Sequence, residues 1–183
     1  MDLSRSKLLL GLLLLCGCGM YSFRGNLPAH INSIAVAGVI NQTAEFTVTD
    51  LMREEVTDLF VTENIIRVTD EGLSDSNLQI TVNRVSDQPL TYTVGESVQE
   101  WRVNITTQVV WHDLIKNRPL FDKSFSGFGD YPAGGDIGSD NIDNDNDGEI
   151  DEEDEFGDPR EFAILTALRK ITEDILNEVV ATW

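Results

Sequence analysis

The chain has 183 residues, 41% of them hydrophobic, and sets 32 Asp and Glu against 13 Lys and Arg for a formal net charge of −19. Such acidity excludes nucleic-acid binding, which needs clustered Lys and Arg against the phosphates. It also excludes adhesion to anionic lipid by a polybasic face alone.

Arg5 and Lys7 precede an apolar run from Leu8 to Leu15, and small residues follow. A membrane-spanning helix needs about 20 apolar residues, so this shorter run reads as a secretory signal. Its end, Leu15-Cys16-Gly17-Cys18, has the form of a bacterial lipoprotein cleavage box. Cutting between Gly17 and Cys18 leaves Cys18 at the new N-terminus, where its thiol takes a diacylglycerol. Cys16 fits less well, because Leu15 would then stand where a small side chain is required. Residues 1–17 are thus expected to leave, 18–30 to form a lipidated tether, and 31–183 to fold. Cys16 departs and Cys18 becomes a thioether, so no thiol remains for a disulfide, a metal or catalysis. Two or three acyl chains, at about 0.8 kcal/mol per buried CH₂, make attachment effectively permanent. Gly19 in place of Asp after the lipidated Cys, by likeness to enterobacterial sorting, points to the outer membrane.

Ile31–Gly38 reads as a mostly buried strand, followed by a polar loop at Asn41-Gln42-Thr43. Met52, Val56, Leu59 and Phe60 recur at helical spacing within Thr47–Glu63, with Thr47 or Thr49 as the N-cap. Short strands are expected at Ile65–Val68 and over Leu78, Ile80 and Val82. The clearest alternation runs through Trp101, Val103, Ile105, Thr107, Val109 and Trp111, opposed by Arg102, Asn104, Thr106 and Gln108. It marks a long antiparallel strand with one buried and one wet face. Leu120–Phe128 is expected to pair back with it across a turn at Asn117-Arg118-Pro119, and the glycines from Gly127 to Gly138 read as irregular.

An acidic insert spans residues 136–158, with twelve Asp or Glu and no Lys or Arg. Within it, Asp143, Asp145 and Asp147 occupy positions 1, 3 and 5 of a calcium loop, and Gly148 the sharp turn at 6. Glu149 offers its carbonyl at 7, Asp151 stands at 9 and Asp154 closes at 12. Alternate short carboxylates around a Gly turn supply the hard oxygens that Ca²⁺ requires. The Asp at position 12 makes the loop similar to dockerin and thrombospondin-type loops. After the insert, Asp158-Pro159-Arg160-Glu161 reads as cap, first-turn Pro and reciprocal Glu. The helix it opens carries Ile164, Leu168, Ile171, Ile175 and Val179 as its inner stripe. The sum is an α+β fold, with two amphipathic helices on one face of a four- to five-stranded mixed or antiparallel sheet.

Three segments together resemble the LptE family of lipopolysaccharide-assembly lipoproteins. They are Cys18-Gly19-Met20-Tyr21-Ser22-Phe23-Arg24-Gly25, Ser33-Ile34-Ala35-Val36 running into Asn41-Gln42-Thr43, and Ile171–Asn177 with Trp183 beyond it. The likeness is nearest to forms from Bacteroidetes-like bacteria and covers the mature chain apart from the insert. It implies a protein that plugs the lumen of the outer-membrane barrel LptD, helps assemble it, and serves lipopolysaccharide transport to the outer leaflet. Binding and scaffolding would then be the whole mechanism, with no enzyme activity. No Lys and Arg cluster here matches a lipopolysaccharide-contacting site. His30 and His112 fall in no catalytic or metal-ligand motif, and a structural or surface role is expected of each. The competing reading is a calcium-dependent adhesion or matrix-binding lipoprotein whose working part is the insert.

Overall fold

The alternation over Trp101–Trp111 becomes the axis of the fold. The structure, a computed structural model, describes residues 27–134 and 158–181. In chain order these form β1 (Ser33–Val36), β2 (Ile40–Asn41), α1 (Thr47–Glu63), β3 (Arg67–Val68), a 3₁₀ turn (Glu71–Leu73), β4 (Ser76–Tyr92), β5 (Val98–Asp113), β6 (Arg118–Pro132) and α2 (Pro159–Ala181). The sheet is mixed and runs β3-β1-β4-β5-β6, with β2 added to β4 beyond β1. β1 lies parallel to β3 and β4, and β4, β5 and β6 form an antiparallel meander.

Six strands replace the expected four to five. The extra one, β2, falls partly on the residues read as a loop and pairs parallel with β4, Ile40 opposite Thr81 and Asn41 opposite Val82. Two residues are too few to display any period. β4 also continues ten residues past Val82, with register shifts at Val82/Arg84 and near Thr91. That outer half is mostly exposed, so it carries no buried alternation to read.

One face of the sheet and both helices share a single core. β5 contributes Val103, Ile105, Val109 and Trp111, and β4 contributes Leu78, Ile80 and Val82. Leu78 stands opposite Trp111 and Ile80 opposite Val109, so the buried rows are continuous across the strands. The Trp111 and Phe121 rings lie tilted with centroids 5.9 Å apart. α1 buries Val48, Met52, Val56 and Phe60, spaced four apart along one stripe. Each such side chain contributes about 1.5–3 kcal/mol on burial, enough to fix a helix that would be marginal alone. All five inner-stripe residues expected of α2 are buried.

The helix ends differ from expectation in one case. The N-cap of α1 is Phe46, with no side-chain hydrogen bond. Instead of capping, Thr49 Oγ1 accepts from Asn41 Nδ2 at 3.2 Å, and the same amide donates to the Glu45 carbonyl at 2.7 Å. Thr47 Oγ1 reaches Glu45 Oε1 at 3.3 Å. The β2 residue Asn41 thus ties the segment before α1 to its first turn without capping the helix. Asp158 does open α2, its Oδ1 accepting from Arg160 N at 2.9 Å.

Gly127 and Gly129 sit inside β6, where an irregular stretch was expected. They let α2 lie directly on the strand. A Cβ at Gly129 would fall 2.7 Å from both C and Cα of Ala163, and one at Gly127 would fall 3.0 Å from Ala167 C and Ile171 Cγ1. A composition of Ser, Gly and Phe reads as loop, yet here glycine serves close backbone approach. The expected turn also shifts: residues 114–117 form it, and Arg118 and Pro119 begin β6.

Candidate functional site

Three features of this frame could carry function: the end where the tether enters, the end that bears the insert, and the open face of the meander. At the tether end, the parity of β5 places Asp113 inward, two residues beyond Trp111. Its side chain is fully buried, and Oδ2 lies 2.7 Å from His30 Nε2. The other oxygen, Oδ1, accepts from Ile115 N at 3.0 Å and Lys116 N at 2.9 Å. A single carboxylate thus fastens the incoming chain to the β5–β6 turn. Burial pushes the Asp113 carboxyl up, but the His30 contact and the two backbone donors outweigh it and hold it below the usual carboxylate range. Next to it, Asn32 N donates to Asp75 Oδ2 and Leu114 N to the Asp75 carbonyl, each at 2.9 Å. The residues that meet here are thus His30, Asp113 and Asp75. Of these the sequence singled out His30 alone, and here it ties the incoming chain to the end of β5. The inward parity of Asp113 was the signal that could have found its partner.

At the opposite end, α2 begins beside the last residues of β6. Arg160 binds Asp87 through Nε at 3.0 Å and Nη2 at 3.1 Å, and its Nη1 reaches Glu45 Oε2 at 2.8 Å. Tyr131 donates its hydroxyl to Asp87 Oδ1 at 2.7 Å. Burial and the Asp87 hydrogen bond push the Tyr131 hydroxyl up to about 12. Partial burial raises the Asp87 carboxyl, yet hydrogen bonds from Arg160 and Tyr131 leave it lowered. The network ties α2, β4, β6 and the start of α1 together at the two points where the insert leaves and rejoins the body. Trp101, Tyr131, Pro132, Asp158 and Arg160 border a hollow of about 210 Å³. Pockets for drug-sized ligands measure about 300–1,000 Å³, so the hollow is small for a substrate. The Arg160 guanidinium in its wall is already paired with Asp87 and Glu45.

The open face of β4, β5 and β6 is polar. Along β5 it presents Arg102, Asn104, Thr106, Gln108, Val110 and His112, all half-buried. Arg102 grips Asp130 with two bonds of 2.6 and 2.7 Å while its guanidinium lies 4.0 Å over the Phe128 ring. Gln108 donates to Asp122 and accepts from the Ser124 hydroxyl. Asn77 Oδ1 and Asn104 Nδ2 find no hydrogen-bond partner among the described residues. Both helices contribute their buried stripes to the opposite side.

Several expected site residues lie outside the described residues. They are Gly17 and Cys18 at the cleavage and lipidation site, and Asp143, Asp145, Asp147, Glu149, Asp151 and Asp154 of the calcium loop. Among the described residues no helix is long and apolar enough to cross a membrane.

No protein-family model and no curated protein match the chain. Solved structures do. Protein XCC0632 from Xanthomonas campestris superposes with a TM-score of 0.53 at 16% identity, covering 85% of this chain and 89% of its own. The hypothetical protein CT253 from Chlamydia trachomatis gives 0.51 at 11% identity, covering 82% of this chain and 99% of its own. A minor lipoprotein from Acinetobacter baumannii reaches 0.47 at 12% identity, covering 84% and 94%, too low a score to carry an argument. At these identities the first two show a shared α+β fold.

Proposed function

We propose that the chain is a lipid-anchored outer-membrane protein of the LptE kind, which seats in an LptD-like β-barrel, assists its assembly and so serves lipopolysaccharide transport. The observation that carries this reading is the open face of the meander. Its pattern is chiefly amide, hydroxyl and paired charge, with Val110 and Phe128 as apolar exceptions, rather than the apolar surface of an obligate soluble dimer. The interiors of outer-membrane barrels are polar in the same way, so a plug needs such a face to pack against the barrel wall. The secretory signal, the lipoprotein box at Cys18 and the signature from Cys18 to Gly25 support the anchor. The partners implied are the barrel, lipopolysaccharide and the membrane that holds the acyl chains.

The insert is read as an accessory. Its roots are clamped by Arg160, Asp87 and Tyr131, so an ion bound at Asp143–Asp154 would leave the core undisturbed. The test of the function is co-purification from detergent-solubilised outer membranes. The reading expects a large β-barrel to accompany the protein, and that barrel to become scarce on depletion. Recovery of the protein alone, with barrel levels unchanged, would refute it. Loss of function on deleting residues 136–155, with the barrel still assembled, would favour the calcium-dependent adhesion reading.

A further inference from the structure

We infer that the β5–β6 turn and the first residue of β6, Leu114–Arg118, rest on the anionic phospholipid surface of the leaflet that holds the anchor; this rests on the lipoprotein reading above. The turn Leu114-Ile115-Lys116-Asn117 runs straight into Arg118 at the start of β6. Leu114 and Ile115 are 44% and 56% exposed, and no core demands them there. Lys116 and Arg118 are exposed beside them. Two acids join the turn's hydrogen-bond network: Asp113 is buried and spent on His30 and two backbone donors, and half-buried Asp75 accepts from Leu114 N through its carbonyl and from Asn32 N through Oδ2. In a chain of net charge −19, this is a local patch of two cations and two apolar side chains. That pairing suits a membrane interface, where apolar groups sink to the acyl boundary and basic ones meet the phosphates. The neighbouring 3₁₀ turn exposes Leu73 as well, but Asp70 and Glu71 flank it, so it is not included.

Position makes the inference specific to lipid. His30 is held against Asp113, so the tether reaches the body at this very turn. Cys18 precedes the first described residue, Leu27, by nine residues, a span of about 30 Å at most. The turn must therefore stay close to the leaflet into which the acyl chains insert. Two cations would not retain a free protein, but a short tether raises their local concentration and makes a weak contact count. Asn117 has φ 49°, a left-handed conformation that Asn tolerates, and the two bonds to Asp113 Oδ1 fix the turn further. The patch is thus presented on a rigid support. At about 3.3 Å per residue, the tip of the β4–β5 hairpin near Val94 lies about 50 Å away along β5, at the other end of the sheet.

The test places an environment-sensitive fluorophore on Ile115→Cys in the mature acylated protein, reconstituted in vesicles containing phosphatidylglycerol. Val94→Cys, labelled in the same way, is the reference. Docking predicts a blue-shifted emission at 115 and at least about twofold quenching by quencher-bearing lipids, with neither at 94. Reversing both charges, Lys116→Glu with Arg118→Glu, should lower quenching at 115 toward the reference while the protein stays on the vesicles. Equal, water-like signals at 115 and 94 would overturn the inference. An intact mass lacking acyl chains would contradict the lipoprotein reading instead. The turn is then scored with a chain from Gly19 held on chelating lipid by an N-terminal histidine tag, where the same difference between 115 and 94 decides. Lipid-independent shielding at 115, unchanged by the charge reversal, would assign the turn to a protein contact and also overturn the inference.

Discussion

Replacing Gly129 by Ala probes a close backbone contact between β6 and α2. The added Cβ would stand 2.7 Å from Ala163 C and Cα, where carbon atoms ordinarily rest at about 3.5 Å or more. These are backbone atoms of a 23-residue helix, so no side chain can swing away to relieve the clash. The Ala163 carbonyl oxygen lies closer still, so the helix must retreat by at least about 0.8 Å, and a radial gap of about 0.5–1 Å forfeits a quarter to a half of each dispersion contact behind it. Nine buried residues of α2 share that loss. Overpacking costs about 1–3 kcal/mol, at the upper end here because the clash is with backbone, and the smaller conformational entropy of unfolded Ala returns about 0.4–1 kcal/mol. A net loss of about 2 kcal/mol is expected. Urea denaturation followed by circular dichroism should show the midpoint falling by about 1 M at unchanged slope. Gly72→Ala is the control, since a Cβ there meets nothing within 4 Å, and it should shift stability by less than about 0.5 kcal/mol. A Gly129→Ala protein as stable as the Gly72→Ala protein would refute the close-approach argument.

Other expectations concern the two ends of the sheet and the insert. Asp113 has a lowered pKa in the folded protein, so protonation favours unfolding. Its contribution is present above the unfolded carboxylate value near pH 4 and is lost as pH falls below it. Asp113→Asn should flatten the acid limb of a stability-against-pH curve, and an unchanged limb would contradict the assignment. Tyr131 ionises only at about 12, so ultraviolet titration of the wild type and of Tyr131→Phe should differ by a late-ionising tyrosine and not by one near 10. Arg160→Met removes the clamp on Asp87 and Glu45 and is expected to cost about 1–2 kcal/mol, measured by denaturant midpoint. Titration calorimetry with Ca²⁺ should detect uptake of the extracellular class, about 10⁻⁴–10⁻³ M, abolished by Asp143→Asn with Asp145→Asn. No heat up to several millimolar would end the calcium reading.

The elements with a strong buried stripe were legible before any coordinates. α1 covers Thr47–Glu63 as read, and β5 extends the Trp101–Trp111 alternation by only a few residues at each end. Both work because burial on one side leaves a period that exposure on the other side sharpens. β4 beyond Val82 fails that test. Residues such as Asp87, Gln88 and Pro89 are held by pairing with β5 and are not buried, and main-chain pairing leaves no hydrophobic trace. β6 was legible as far as Phe128, but its far end was read as irregular for a different reason, because its inward residues at Gly127 and Gly129 are small so that a helix can sit on them. At the site, His30 was visible but its partner was not, since a buried acid at a strand end looks like any surface Asp until parity is counted. Arg160, Asp87 and Tyr131 lie far apart in sequence, and no local pattern joins them.

The central claim, that the polar face of the meander packs inside an outer-membrane barrel, is tested most directly by a photo-crosslinking residue at Thr106, on that face. The account predicts a covalent adduct with one large β-barrel protein of the LptD kind in intact cells, and none from the same residue at exposed Glu173 on α2. Adducts confined to soluble periplasmic proteins, or a Thr106 probe that captures no barrel while the protein remains folded and anchored, would contradict it.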